Sequence, residues 1–204
     1  KTYSITADTA ERITYDWYNK NCFIDHFMEG IGLNSYEKCA FHELSDFTNQ
    51  PADTAEISGE NIIFKKCGGI YINGERNKTD MEKVFTFNKN AVDFHIKAKS
   101  SKSAFCEYAQ EFNFHFADVS KLTVNNKAFT EKGEMKSNIF EIYDEYLNKR
   151  LVIQYEKEIK FIWFTNHTVS QSEMGVDLTV QGITVAAVMP YGKELDLKGT
   201  LRIG

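Results

Sequence analysis

Proline is nearly missing from this sequence: Pro51 and Pro190 are the only two in 204 residues. A proline cannot donate to a β-ladder, so its scarcity leaves almost every backbone N–H available for sheet pairing. No apolar run approaches the roughly 20 residues of a membrane-crossing helix, the longest being Gly182 to Pro190. A membrane span is therefore not expected. Basic charge is also short, with 24 Lys plus Arg against 29 Asp plus Glu, a net charge of -5 and no long Lys/Arg run. That balance excludes a phosphate backbone as partner, because nucleic-acid binding needs a concentrated basic face. The four cysteines, Cys22, Cys39, Cys67 and Cys106, are irregularly spaced, and a chain of this length buries roughly 70% of its unfolded surface without covalent staples. A reduced, cytoplasmic chain is expected. Asn77-Lys78-Thr79 and Asn166-His167-Thr168 read as chance matches to a glycosylation acceptor. The chain opens at Lys1 without Met or a leader-like segment and is expected to be a piece of a longer protein. Nucleophile and phosphate motifs are missing too: there is no Gly-x-Ser-x-Gly, Ser-x-x-Lys or His-Glu-x-x-His. Gly30-Ile31-Gly32 lacks the third glycine and preceding strand of a dinucleotide fingerprint.

What the sequence has is alternation of apolar and polar residues from about residue 54 onward. In 105–116, Cys106, Tyr108, Phe112, Phe114 and Phe116 share one face while Glu107, Glu111, Asn113 and His115 take the other, predicting a half-buried strand. Leu195, Leu197, Leu201 and Ile203 predict a terminal strand, with Gly199 as a bulge or close approach. Shorter strands are expected over 62–66, 70–73, 81–87, 92–98, 122–124, 151–155, 159–164 and 178–189. Turns are expected at Cys67-Gly68-Gly69, Asn73-Gly74, Asn88-Lys89-Asn90, Asn125-Asn126 and Glu156-Lys157-Glu158, with an exposed loop over 131–138. The class is mainly β, a large antiparallel β-sandwich with a short irregular or helical N-terminal segment. Residues 1–14 read as a linker and 15–204 as the sandwich domain.

Cys22, His26, Cys39 and His42 superficially offer four zinc ligands, but the spacings depart from common zinc patterns and Cys22 sits in an apolar run. Neither a metal nor a cofactor is expected. Asp16, Asp25, Glu43, Asp46 and Glu173 lie among aromatic and polar residues, and each reads first as a solvated charge. Trp163 alternates with Ile159 and Phe161 and reads as core. Trp17 and Tyr18 could stack on sugar rings, with Asn49, Gln50, Gln171 and Glu173 as polar partners that ordinary loop solvation explains equally well.

Three blocks carry a resemblance. The run Tyr15-Asp16-Trp17-Tyr18-Asn19-Lys20-Asn21-Cys22-Phe23-Ile24-Asp25-His26-Phe27 is similar to the Tyr-Asp, basic, Asp-His-Phe segment of the C-terminal domain of family 57 glycoside hydrolases, the α-amylase and 4-α-glucanotransferase type. Ser45-Asp46-Phe47-Thr48-Asn49-Gln50-Pro51 resembles its Gly-Asp-Phe-x-Asn-Gln-Pro segment. Thr168-Val169-Ser170-Gln171-Ser172-Glu173-x-Gly175 with Gln181-Gly182 resembles its Thr-Val-Ser-x-Ser-Glu-x-Gly and Gln-Gly block. Only about fourteen residues precede the first block, and Val176 to Val180 stand where relatives carry aromatic and Arg residues.

The resemblance implies a galactose-mutarotase-like sandwich that follows a catalytic barrel. The barrel holds the family's Glu nucleophile, Asp acid/base and His-x-His-Gln-Pro signature, and nothing in this chain matches those motifs. The implied role is a noncatalytic module of an enzyme acting on α-glucans, inactive alone, with the upstream catalytic barrel as partner and starch- or glycogen-like chains as the carbohydrate contacted. Trp17 and Tyr18 are the expected stacking surface, with Asp25 and His26 as polar neighbours. The alternatives are a purely structural interdomain module with no sugar binding and a mutarotase-like sugar enzyme, which needs a His acid and a carboxylate base in one concave face.

Overall fold

The computed structural model describes residues 12–172 and 175–204. In chain order the elements are β1 (Ile24–Met28), a one-turn helix α1 (Leu33–Glu37), β2 (Thr54–Ser58), β3 (Asn61–Ile72), β4 (Glu75–Asn88), β5 (Ala91–Ser100), β6 (Cys106–Phe114), β7 (Leu122–Val124), β8 (Lys127–Ala128), β9 (Lys132–Asp144), β10 (Lys149–Ser172), β11 (Gly175–Tyr191) and β12 (Glu194–Ile203). Every strand pairing is antiparallel. The hydrogen-bonded order is β1-β6-β11-β10-β12-β5-β4-β3-β2, with β9 also on β10. Among the described residues no helix is long and apolar enough to cross a membrane.

This single ladder must fold over on itself. Between β6 and β5 lie β11, β10 and β12, four inter-strand steps of about 4.8 Å, or about 19 Å along a flat sheet. Yet Phe112 of β6 and Phe94 of β5 have ring centroids 6.2 Å apart, and Phe94 also meets Tyr155 of β10 at 5.5 Å. The β1-β6-β11 layer therefore packs face to face on the β12-β5-β4-β3 layer, as a sandwich. The 24-residue β10 belongs to both: Leu151 to Tyr155 pair with β12, and Lys160 to Ser172 pair with β11. The core between the layers holds Phe27, Tyr108, Phe112, Phe140, Phe161 and Ile183, all fully buried. Trp163 is buried there as well, its Nε1 donating to the Thr130 carbonyl at 3.1 Å.

Local turn chemistry falls where the sequence predicts it at Asn73-Gly74 (φ 51° and 79°) and Asn125-Asn126 (φ 45° and 62°), positions whose left-handed backbone suits these residues. Gly199 is the expected close approach: an added Cβ would lie 2.4 Å from the Phe94 ring and 2.6 Å from the Gln154 carbonyl. Three expectations are corrected. Cys67-Gly68-Gly69 is no turn but the middle of β3, where Gly68 makes room for Phe47, whose ring would lie 2.7 Å from an added Cβ. Glu156-Lys157-Glu158 is not a hairpin tip; it is an exposed bulge inside β10, where the ladder to β9 shifts register between Gln154 and Ile159 as the strand passes between layers. The segment 131–138 is no loop, because Lys132 to Ser137 pair with Phe164 to Ile159 of β10. The linker expected over 1–14 falls largely outside the described residues, and 13–18 carry no helical turn.

The outward face of the β1-β6-β11-β10 layer carries a second apolar cluster, with Met28, Ala109, Ile162, Phe164, Ala186 and Val188 beneath Ile31 and Tyr36. The segment from Glu29 to Glu43, including α1, thus lies over this face as a cover. It is tied down where Glu43 bridges Met28 and where Leu44 N–H donates to the Phe27 carbonyl at 2.7 Å.

Candidate functional site

Under that cover sits an ion network centred on two fully buried residues, His26 and Glu111. His26 of β1 and Glu111 of β6 project from the same face, because Ile24↔Glu111 and His26↔Ala109 are register partners and alternate residues share a face. His26 Nδ1 donates to Glu43 Oε2 at 2.8 Å, and its Nε2 faces Glu111 Oε2 at 3.5 Å. Glu43 is held by the Phe27 N–H (3.0 Å), Ser45 N–H (3.1 Å) and Ser45 hydroxyl (2.6 Å). Glu111 accepts from the Tyr18 hydroxyl (2.7 Å), the Tyr36 hydroxyl and Asn113 Nδ2 (2.6 Å), with Lys20 Nζ at 3.8 Å.

Burial alone would lower the His26 pKa, but the two carboxylates on its ring nitrogens outweigh it and hold the imidazolium up to about 9. Burial would likewise raise Glu111, yet His26 and Lys20, with the Asn113 amide, hold it at about 2. The network is a proton-bearing imidazolium between two carboxylates, wired to two tyrosines whose hydroxyls burial and Glu111 keep protonated.

Of the four residues expected to touch carbohydrate, the structure leaves only Trp17 open, at 48% exposure. Tyr18 is buried, edge-on to His26 at 4.9 Å and to Trp17 at 5.0 Å. His26 has no exposed surface. Asp25, one residue along β1, points to the opposite face and does not join His26 at all. There its carboxylate takes the Lys83 ammonium at 2.5 Å and the Tyr108 hydroxyl at 2.6 Å, beside an apolar cleft of about 590 Å³ walled by Phe47, Phe64 and Phe85. A shared surface of Trp17, Tyr18, Asp25 and His26 is thus replaced by an edge-to-face aromatic plug on one face and an ion pair on the other. Cys22 and His42 are engaged elsewhere, at the Asn113 carbonyl (3.2 Å) and beside Glu29 (3.7 Å).

Glu111 and Tyr36 were not legible as site residues: alternation assigns Glu111 to the solvent side of a half-buried strand, and only the cover segment seals it. The open feature of this face is a cleft of about 990 Å³ above the network. Tyr18, Lys20 and Asn113, which contact Glu111, line its inner end; Tyr15 and Asp16 line one side, and Asn166, His167, Gln181 and Gly182 the other. Two of the three sequence blocks, about 150 residues apart, meet in it. Gln171 and Glu173 have side chains outside the described residues.

The architecture is that of the galactose-mutarotase-like sandwiches: a galactose mutarotase-like protein of Clostridium acetobutylicum superposes with a TM-score of 0.51 at 8% identity, over 91% of this chain and 77% of that one. The family model described as "Alpha-amylase/4-alpha-glucanotransferase, C-terminal" matches residues 1–203, and the chain belongs to that family. It is 26% identical over 193 residues to the 4-alpha-glucanotransferase of Thermococcus litoralis, covering 94% of this chain and 28% of that protein. It is also 26% identical over 189 residues to an alpha-amylase of Pyrococcus horikoshii, covering 91% of this chain and 27% of that protein. The crystal structure of the Thermococcus litoralis enzyme superposes with a TM-score of 0.85 over 98% of this chain and 29% of that one. The chain therefore spans less than a third of the length of these relatives.

Proposed function

We propose that this chain is the noncatalytic C-terminal β-sandwich module of an α-glucan-processing enzyme and supports a catalytic barrel encoded outside residues 1–204. The observation that carries this reading is the match itself: nearly the whole chain superposes on under a third of a 4-alpha-glucanotransferase. The buried network supports it. An acid/base pair must reach its substrate, and His26 and Glu111 are sealed beneath Tyr18, Tyr36 and the cover segment. The same burial counts against the mutarotase-like alternative. Cytoplasmic residence belongs to this reading on the ground of the unpatterned cysteines.

The test has two parts. Purified chain incubated with maltoheptaose should give no hydrolysis, transfer or anomer interconversion above a heat-killed control, and turnover above that control would refute the reading. The parent enzyme should lose thermal stability when the module is deleted; an unchanged melting temperature would remove the supporting role.

A further inference from the structure

We propose that the cleft between residues 12–20 and the base of the β10–β11 hairpin binds an uncharged α-linked glucose oligomer. This deepens the module reading and rests on it for the choice of sugar.

The cleft has the chemistry of a polyhydroxyl site. Its volume of about 990 Å³ stands at the upper end of the ~300–1,000 Å³ range of ligand pockets, enough for several pyranose rings. Six of its charges form pairs: Lys132 meets Glu37 at 2.8 Å, Arg12 meets Glu131 at 3.2 Å and Lys20 meets Asp16 at 3.4 Å, with Lys38 also in the lining. A charged ligand would compete with these pairs, whereas neutral hydroxyls can bridge them. Hydrogen-bonding capacity is left over on the strand side. Asn166 spends only Nδ2, on the Thr184 hydroxyl at 2.8 Å. His167 pairs with Val180 in the β10–β11 ladder, and its ring has no hydrogen-bond partner among the described residues. Burial lowers the His167 pKa, so at neutral pH its imidazole is uncharged and offers one donor and one acceptor. The aromatic stacking surface is Tyr15, 88% exposed on the other side of the cleft, where an apolar ring gains by covering a sugar face. The cleft walled by Phe47, Phe64 and Phe85 is smaller, about 590 Å³, and mainly apolar.

The experiment is an NMR amide and histidine-ring titration of the 204-residue chain with maltoheptaose, and with cellohexaose as the β-linked control. Shifts should cluster at Tyr15, Asn166 and His167 for maltoheptaose only. Tyr15→Ala should weaken binding about tenfold, and His167→Ala should weaken it too, each with the rest of the spectrum unchanged. Shifts that are missing at millimolar sugar, that map to the apolar cleft or Trp17, or that cellohexaose reproduces equally would each overturn the proposal. If the module stabilises its parent enzyme but maltoheptaose moves no cleft resonance, the cleft falls and the module stands. If the chain turns maltoheptaose over, the module reading falls, and the cleft is judged on the shift map alone.

Discussion

Replacing Glu111 by Gln tests whether the buried network is ionic. The substitution keeps the side-chain shape and an oxygen for the Tyr18 and Tyr36 hydroxyls, but it removes the anion 3.5 Å from His26 Nε2 and points an amide at Asn113 Nδ2. Breaking a buried pair from one side costs about 3–5 kcal/mol, because the partner charge stays buried. At about 2–4 °C per kcal/mol for a chain of this size, the melting temperature should fall by about 10 °C at pH 6. The cost must also depend on pH, with a sign that the two shifts define. His26 is raised from 6.5 to about 9 in the fold, so its contribution is complete below about pH 6.5 and is lost as pH rises through about 9. Glu111 is lowered from 4.5 to about 2, so its contribution is complete above about pH 4.5 and is lost as pH falls through about 2. Wild-type stability should therefore be greatest between about pH 4.5 and 6.5, and the gap to Glu111→Gln should narrow by pH 9.5. Calorimetry at pH 6 and 9.5 reads both quantities. A cost below about 1 kcal/mol at pH 6, well under that of a broken buried pair, or an equal cost at both pH values, would refute the charged-imidazole assignment.

Two further substitutions probe the other face and the core. Asp25→Asn leaves the partly buried Lys83 ammonium without its anion and should lower the urea midpoint by an amount equivalent to about 2 kcal/mol at unchanged m-value; no change would mean the ion pair is energetically idle. Gly199→Ala sets a Cβ against the Gln154 carbonyl as well as Phe94, and a backbone oxygen in a two-sided ladder cannot swing away. A cost of about 3 kcal/mol is expected in chemical denaturation, and a neutral result would show that the ladder gives at that point.

Sequence reasoning succeeded where the cause is local and failed where it is not. Asn73-Gly74 and Asn125-Asn126 announce turns through their own backbone tolerance, and the alternation along β6 and β12 follows from a pleat of period two. Nothing local says that Glu156-Lys157-Glu158 continues a strand, since that depends on a 24-residue segment serving both layers. The polar stretch 131–138 looks like a loop until β10 supplies its partner. The site divides in the same way. The Asp-His-Phe block pointed to His26, and the three blocks pointed to the family. Sealing Glu111 requires a cover segment more than sixty residues earlier in the chain, and sending Asp25 and His26 to opposite faces follows only once β1 is known to be a strand.

The seat of β12 bears on how this domain tolerates being cut or extended. The final strand is not an edge: it lies between β10 and β5, and the backbones of Gly204 and Arg150 exchange hydrogen bonds in both directions. Trimming ten residues would open a gap in the middle of one wall and part β5 from β10, where loss of an outer strand would merely shorten the wall. A nick near Gly192, between β11 and β12, should therefore leave a fragment that stays clamped in place, and a protease could mark the chain there long before it dismantled it.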